Sequence, residues 1–393
     1  DHINEQQGMM DMIMSRIAND GLYYAVYSKS RPWHESIGHK VEVVTNKDFA
    51  NVTGNARALL AMMAWMQYDP DGPWREKAEV IAHALSRIVL HNKKEGYAYY
   101  PDSGVGEAFS YPRSGWRHTK EPATENEGAE GSMFVYYGHP IRALSRWYRF
   151  TGDEEALDTA RRLVKFVMKK RFWGVDGLVG DIDTAERGFF TGHMHGHTSL
   201  LYGLIEYAIA AGDSKLKYFV RESYEYARKH GIPKLGFTVF NQQVSEVCTV
   251  SDMIALAIKL TEAGVGDYYD DVDQMVRNHL AEGQLLNPDS LSRVTESAET
   301  QLPYSVESDL ETADRVIERC IGIPLSMGVT GTDRPYTLCC CVGNGTQALY
   351  YAWSKIVEYE SGIAKVNLLL NRSSPWMDID SYLPYEGKVI LHN

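Results

Sequence analysis

Apolar residues recur every three to four positions through 55–68, 75–91, 139–150, 154–170, 197–211, 214–229, 249–263, 267–282 and 344–357. That period puts them on one face of a helix, so each stretch predicts an α-helix with a buried side. The breaks between stretches share a form. Thr151-Gly152-Asp153, Ala211-Gly212-Asp213 and Val265-Gly266-Asp267 each set a glycine where one helix ends and an aspartate where the next begins. Glycine accepts the left-handed cap at a C-terminus, and an aspartate side chain accepts from the orphan N–H groups of a first turn. The marks fall about sixty residues apart, a weak repeat of helical hairpins. Such hairpins stack as an open solenoid or close into an (α/α) toroid. Long intervening segments with unusual polar residues favour closure.

Past residue 362 the pattern changes. Ile363 to Leu370 and Lys388 to His392 read as strands, and Pro375 to Pro384 is rich in turn formers. Two strands do not make a stable sheet alone, so they pair elsewhere in the chain or begin a β domain. The stretches 106–131 and 287–309 read as long loops rich in Gly, Pro, Ser and Glu.

At 393 residues the chain has room for more than one domain. A net charge of −12 argues against a nucleic-acid groove, which needs clustered Lys and Arg. No apolar run has the length of a membrane span. The many tyrosines and tryptophans suit a sugar cleft, although core filling explains them as simply. Oligomeric state is not legible. The chain starts at Asp1, so the compartment cannot be read from its beginning; free or metal-bound cysteines favour the cytoplasm over a periplasmic or secreted location.

The cysteines carry the sharpest chemical signal. There are five, at Cys248, Cys320, Cys339, Cys340 and Cys341. An odd number with three in a row is no disulfide framework; it reads as metal binding or a reactive thiol. Glu246-Val247-Cys248 precedes the apolar run Met253 to Leu260, and the triplet precedes the run Ala348 to Trp353. Both segments therefore sit at helix N-termini, where the helix dipole stabilises thiolates. A Glu-x-Cys step and a vicinal Cys pair make a four-ligand set suited to zinc, which thiolates prefer over Mg²⁺ or Ca²⁺. The alternative is buried apolar cysteine, a weaker reading for three in succession.

Histidines show a similar placement. Gly138-His139-Pro140 opens the predicted helix ending at Thr151, and Gly192-His193-Met194-His195-Gly196-His197 opens the one ending at Gly212. A lone histidine is more often structural. His193, His195 and His197 alternate, so a second metal site competes with a substrate-binding role. In a closed toroid, alternate helices form an inner ring and run the same way. Helices beginning at 139, 197, 249 and 344 would then bring His139, His195, His197, Glu246, Cys248 and the cysteine triplet to one mouth, the expected place for an active site.

Together these motifs resemble glycoside hydrolase family 127, which includes β-L-arabinofuranosidases. The resemblance implies a mainly α fold, an (α/α)6 toroid of helical hairpins over 1–360, and the opening strands of a truncated C-terminal β-sandwich over 361–393. It implies zinc (Zn²⁺) held by Glu246, Cys248, Cys340 and Cys341, since Cys340-Cys341-Val342-Gly343-Asn344 sits like the family's Cys-Cys-Pro-Pro-Asn. Cys340 would be the nucleophile. His139 resembles the histidine of the family's Gly-His-Leu motif and His197 that of its Gly-His-Ala motif; with His195 these are the expected substrate-binding residues. The implied function is retaining hydrolysis of a terminal arabinofuranoside-like sugar, with carbohydrate as partner. The family's acid lies in a Gly-Glu-x-Phe stretch, and the matching segment 234–243 holds no carboxylate. Glu125, Glu127, Glu130 and Asp183 are loop candidates for that role, and Tyr336 and Trp116 for a sugar subsite. Two other functions fit the same motifs: a non-catalytic carbohydrate-binding barrel with structural zinc, and a sugar epimerase or lyase.

Overall fold

A computed structural model describes residues 2–24, 49–100, 110–112, 132–169, 172–173, 188, 194–239, 245–289, 292, 315–324 and 339–392. Trp116, Glu125, Glu127, Glu130, Asp183, His193 and Tyr336 lie outside these residues. The chain divides into two compact units. One comprises Asp1–Ala185, Gly203–Leu216 and Ser305–Glu311; the other comprises Glu186–Tyr202, Lys217–Tyr304 and Thr312–Asn393.

The first unit holds α1 (His2–Ser15), α2 (Val52–Tyr68), α3 (Trp74–Arg87), α4 (Ser132–Thr151) and α5 (Glu154–Val167). Asn51 caps α2, its side chain accepting from Gly54 N at 2.7 Å. Strand β1 (Phe49–Asn51) leads into α2, and a small hairpin of β2 (Leu90–Asn92) and β3 (Tyr97–Tyr99) packs on α5. Helix α2 packs on both α3 and α4, and α4 on α5. Their inward faces bury Leu59, Met62, Leu85, Leu144, Leu163 and Phe166 completely. Burying such side chains contributes about 1.5–3 kcal/mol each, which stabilises the hairpins far more than helix propensity does. Strand β4 (Ser110–Pro112) pairs antiparallel with β1.

Helix α6 (Met194–Ala211) contributes its first half to the second unit and its second half to the first. In the first unit, its Glu206 is fully buried and accepts from Arg146 Nε at 2.8 Å and Arg149 Nη1 at 3.1 Å. Two arginines thus compensate one carboxylate that has no access to water.

The second unit holds most of α7 (Ser214–His230), then α8 (Val247–Glu262), α9 (Tyr269–Met275), α10 (Val316–Arg319) and α11 (Cys339–Ile356). Helix α8 is buried along nearly its whole length and packs against α11. Strand β5 (Val357–Glu360) continues from α11, turns at Ser361 and Gly362, both with positive φ, and pairs with β6 (Ile363–Val366). Strands β7 (Asp378–Ser381) and β8 (Val389–His392) form a second pair. Each strand expected from the sequence therefore finds its partner within the chain.

Two of the three glycine-aspartate marks act as read. Gly152 and Gly212 take the left-handed conformation, with φ of 81° and 67°. Asp153 accepts from Glu155 N and Ala156 N, and Asp213 from Leu216 N at 2.9 Å. The third is displaced: Gly264 (φ 71°) ends α8, and Tyr268 stands before α9 without a side-chain cap bond. The expected single helix 267–282 is also two pieces, because the backbone after Met275 widens into a π turn over Val276–Leu280.

Helix starts lie earlier than the apolar pattern places them: α4 begins at Ser132, α6 at Met194, α8 at Val247 and α11 at Cys339. The first turns of α6 (Met194 to His197) and α11 (Cys339 to Val342) carry polar or small residues, so hydrophobic periodicity registers them poorly; α4 opens on the apolar Met133-Phe134-Val135, which the stretch from 139 leaves out. The correction matters most for His139, which lies well inside α4, with Pro140 inside the helix rather than at its first position. Cys320 falls just after the one-turn α10.

Candidate metal centre

The centre is built where α8 and α11 begin. Glu246 is the N-cap residue of α8, in extended conformation (φ −140°), and makes no side-chain cap bond. Cys248 follows in the first turn, and Cys340 and Cys341 lie in the first turn of α11. Cys248 and Cys341 are fully buried, Glu246 is buried, and Cys340 is half-buried. One ligand atom from each of the four lies within 4.8 Å of all the others. Cys248 Sγ is 3.1 Å from Cys341 Sγ, Cys340 Sγ is 3.8 Å from Cys341 Sγ, and Glu246 Oε1 is 3.9 Å from Cys341 Sγ.

The four donors lie close enough together to hold a metal ion; the Cys340–Cys341 separation has the value for tetrahedral zinc, and the Cys248–Cys341 separation is shorter than it. Tetrahedral zinc with Zn–S bonds of about 2.3 Å sets its sulfurs about 3.8 Å apart. Three soft sulfurs and one carboxylate, all drawn from buried helix ends, form a donor set for a thiophilic divalent ion. The Cys₃Glu set read from the sequence is therefore assembled at one point, although it joins residues 93 positions apart.

The three thiols cannot all ionise together. Cys340 is held well below the usual thiol range because Cys248 and Cys341 donate to its sulfur and His195 adds positive charge nearby. Cys248 is pushed up by its bonds to Cys340 and Cys341 and by burial. At Cys341, the bond from Cys248 pulls down, but donation to Cys340 and burial outweigh it and the thiol is raised. In protons alone, the cluster keeps one thiolate and two thiols, with Cys340 as the anionic sulfur.

Two residues that sequence reasoning gave no role complete the surroundings. Asn344, buried in α11, donates Nδ2 to Cys248 Sγ at 3.1 Å. Asp252 lies one helical turn after Cys248 on α8, and so on the same face. Its Oδ2 accepts from His195 Nδ1 at 2.7 Å and from Thr198 Oγ1 at 2.8 Å. Burial opposes a charge on His195, but the charge and hydrogen bond of Asp252, with Glu246 and Cys340, outweigh it and raise the imidazole above its ordinary value. A charged residue amid the apolar run of α8 was the visible signal for Asp252.

Of the remaining candidates, His197 is buried in the first turn of α6 with His195. His139, in the first unit, has Arg57 Nη2 3.1 Å from Nε2 and Arg142 Nη2 3.2 Å from Nδ1. Both its ring nitrogens thus face guanidinium groups. The side chain of Cys339 lies outside the described residues. Among the described residues, His195 and His197 do not enter a group able to hold a second metal.

Comparison with known proteins gives the fold. No family profile matches the chain, and no curated protein matches it in sequence. Solved structures do match. A GH127 β-L-arabinofuranosidase from Geobacillus stearothermophilus T6 aligns over 100% of this chain at TM-score 0.55 and 13% identity. A GH127 β-arabinofuranosidase aligns over 98% at TM-score 0.52 and 14% identity. A cellobiose 2-epimerase from Bacillus thermoamylovorans B4167 aligns over 92%, also at TM-score 0.52 and 14% identity. The chain spans 59% and 55% of the two arabinofuranosidases and 89% of the epimerase. Its fold class is accordingly the (α/α)6 toroid, mainly α with a few small strand pairs. Among the described residues, no helix is long and apolar enough to cross a membrane.

Proposed function

We propose that the chain is the catalytic part of a retaining glycosidase for a terminal arabinofuranoside-like sugar, with zinc held by Glu246, Cys248, Cys340 and Cys341. The observation that carries this reading is the convergence of those four donors at two helix N-termini. The fold shared with two arabinofuranosidases agrees with it.

A retaining mechanism needs a nucleophile at the anomeric carbon and an acid at the leaving oxygen. Cys340 is the nucleophile: it is the least buried of the three sulfurs and the one favoured as thiolate. Its attack forms a C–S bond as the glycosidic C–O bond breaks, and water then releases the sugar and restores the thiolate. Bound zinc supplies positive charge that keeps the thiolates ionised. Glu246, Cys248 and Cys341 fix the sulfur's position, so little reorganisation accompanies attack. His195 and His197 bind sugar hydroxyls in this reading; a substrate-binding role for His139 rests on the family resemblance alone.

A furanoside inhibitor with a cysteine-reactive warhead, followed by peptide mass mapping and metal analysis, tests the proposal. Label on Cys340 with zinc retained is the expected result. Label on Cys339 moves the nucleophile by one residue. No label, with sugar bound and full zinc, favours a carbohydrate-binding barrel.

A second reading, a sugar epimerase, rests on the fold shared with the cellobiose 2-epimerase. Conversion of cellobiose to its 2-epimer by protein whose Cys340 is replaced by serine would establish it.

A further inference from the structure

We propose that a cleft in the first unit binds the anionic head group, phosphate or carboxylate, of a small hydroxylated ligand. The cleft has a volume of about 410 Å³, within the range of small-molecule sites. Ser86, Lys93, Glu155, Asp158, Thr159 and Arg162 are among its lining residues.

Three elements build it. Ser86 lies in the last turn of α3, Lys93 in the turn between β2 and β3, and the other four on α5. Asn92 holds the turn, its Oδ1 accepting from Lys94 N at 3.1 Å and from Glu95 N at 3.0 Å. Tyr97 and Tyr99 of β3 pack on Phe166 of α5, with ring centroids 5.4 and 5.7 Å away. The hairpin is thereby fixed to α5, which brings Lys93 and Arg162 to one cleft.

Two buried hydroxyls point to a ligand. Ser86 and Thr159 are only 7% and 6% exposed, yet neither hydroxyl has a hydrogen-bond partner among the described residues. A hydroxyl on so buried a helical residue ordinarily bonds a carbonyl of the preceding turn, as Thr151 does with Trp147 O at 2.7 Å. Both are left for what enters the cleft.

The charges specify an anion. Lys93 Nζ has no acceptor among the described residues, and neither have the Nη groups of Arg162. Lys165 Nζ adds a cation beside the cleft, 3.3 Å from where a Cβ on the lining residue Gly96 would stand. The carboxylates are already engaged. Asp158 accepts from Arg161 Nε at 3.2 Å and from Arg162 Nε at 2.7 Å, and Glu155 Oε2 accepts from His83 Nδ1 at 2.8 Å. An oxyanion would take charge-assisted bonds from Lys93 and Arg162 and neutral ones from the two hydroxyls. The other oxygen of Glu155 remains to accept from a hydroxyl on the body of the ligand.

NMR titration of the full chain at fixed ionic strength, with inorganic phosphate and separately with glucuronate, tests the site. Saturable shifts of the Gly96 amide are expected with at least one probe, and the tighter one identifies the head group. Lys93→Met should weaken binding about tenfold or more, and Thr159→Val about threefold or more. Ser86→Ala, a second hydroxyl deletion, covers the case in which Thr159→Val fails to fold. Lys94→Met, on the same turn but outside the lining, should leave the affinity unchanged. Binding of neither probe overturns the proposal. So does full affinity in Lys93→Met, or an equal loss in Lys93→Met and Lys94→Met, which would mean diffuse surface charge.

Discussion

Asn344 donates its side-chain amide to Cys248 Sγ across 3.1 Å, linking the first turn of α11 to that of α8 through a ligand sulfur. An N–H···S bond stabilises the thiolate and fixes its direction, as partners behind a ligand commonly do. Asn344→Ala should weaken zinc binding about tenfold or more, measured by competition with a chromogenic chelator. Unchanged affinity would mean that the bond only packs the two helices.

Removing a ligand should be more severe. Cys248→Ser should abolish most metal binding and lower Tm, because an ion held only by the folded state stabilises it through mass action. Metal analysis and calorimetry on the same sample check both effects. Full occupancy in the variant would refute the ligand assignment. Cys320→Ser, which changes a thiol outside the cluster, should alter neither.

His279 supplies a pH dependence away from the metal. It is buried in the π turn, stacked on Phe237 at 4.7 Å, and burial lowers its pKa to about 4. Its Nδ1 accepts from Thr238 N at 3.2 Å, and its Nε2 has no hydrogen-bond partner. In the unfolded chain the value is about 6.5, so between these limits the unfolded state binds the proton. The contribution is therefore complete above pH 6.5 and is lost as pH falls toward 4, up to about 3 kcal/mol. Urea midpoints of wild type and His279→Phe should converge or cross over that window. Parallel curves would place the acid sensitivity elsewhere.

Glu206 is the buried carboxylate of the first unit, held by Arg146 and Arg149. Glu206→Ala leaves a cavity and two arginines without their acceptor. Because both guanidinium groups are partly exposed, the loss should be about 2–3 kcal/mol, below that for a wholly buried pair. Denaturant titration would measure it. A change under 0.5 kcal/mol would show that the arginines regain equivalent hydration.

Much of this arrangement was legible beforehand for stated reasons. The hairpins were, since each helix carries an apolar face and most turns carry a glycine or aspartate with a fixed task, as at Gly152 and Asp213. The ligand set was too, because no ordinary core explains three consecutive cysteines. The first turns of α4, α6, α8 and α11 were not: small and polar residues weaken the apolar period at α6 and α11, and at α4 the Gly138-His139-Pro140 step inside the helix reads as a helix start. Nor were β5 and β7: Val357–Glu360 continues a helical segment, and Asp378–Ser381 has two aspartates in four residues. For Asp252 the charge was visible in the sequence but its pairing was not. Its partner His195 is 57 residues away, and no local pattern links them.

The division of the ligands between α8 and α11 also governs when an ion can be captured. During synthesis, Glu246 and Cys248 emerge well before the cysteines of α11, and two donors alone hold a divalent ion weakly. Tight capture waits until the chain has closed a loop of 93 residues between Cys248 and Cys341. The entropic cost of that closure grows only slowly with length, so packing of α8 on α11 can meet it before any ion arrives. If the proposed zinc binds there, its tight uptake would follow the packing of α8 on α11 rather than seed it.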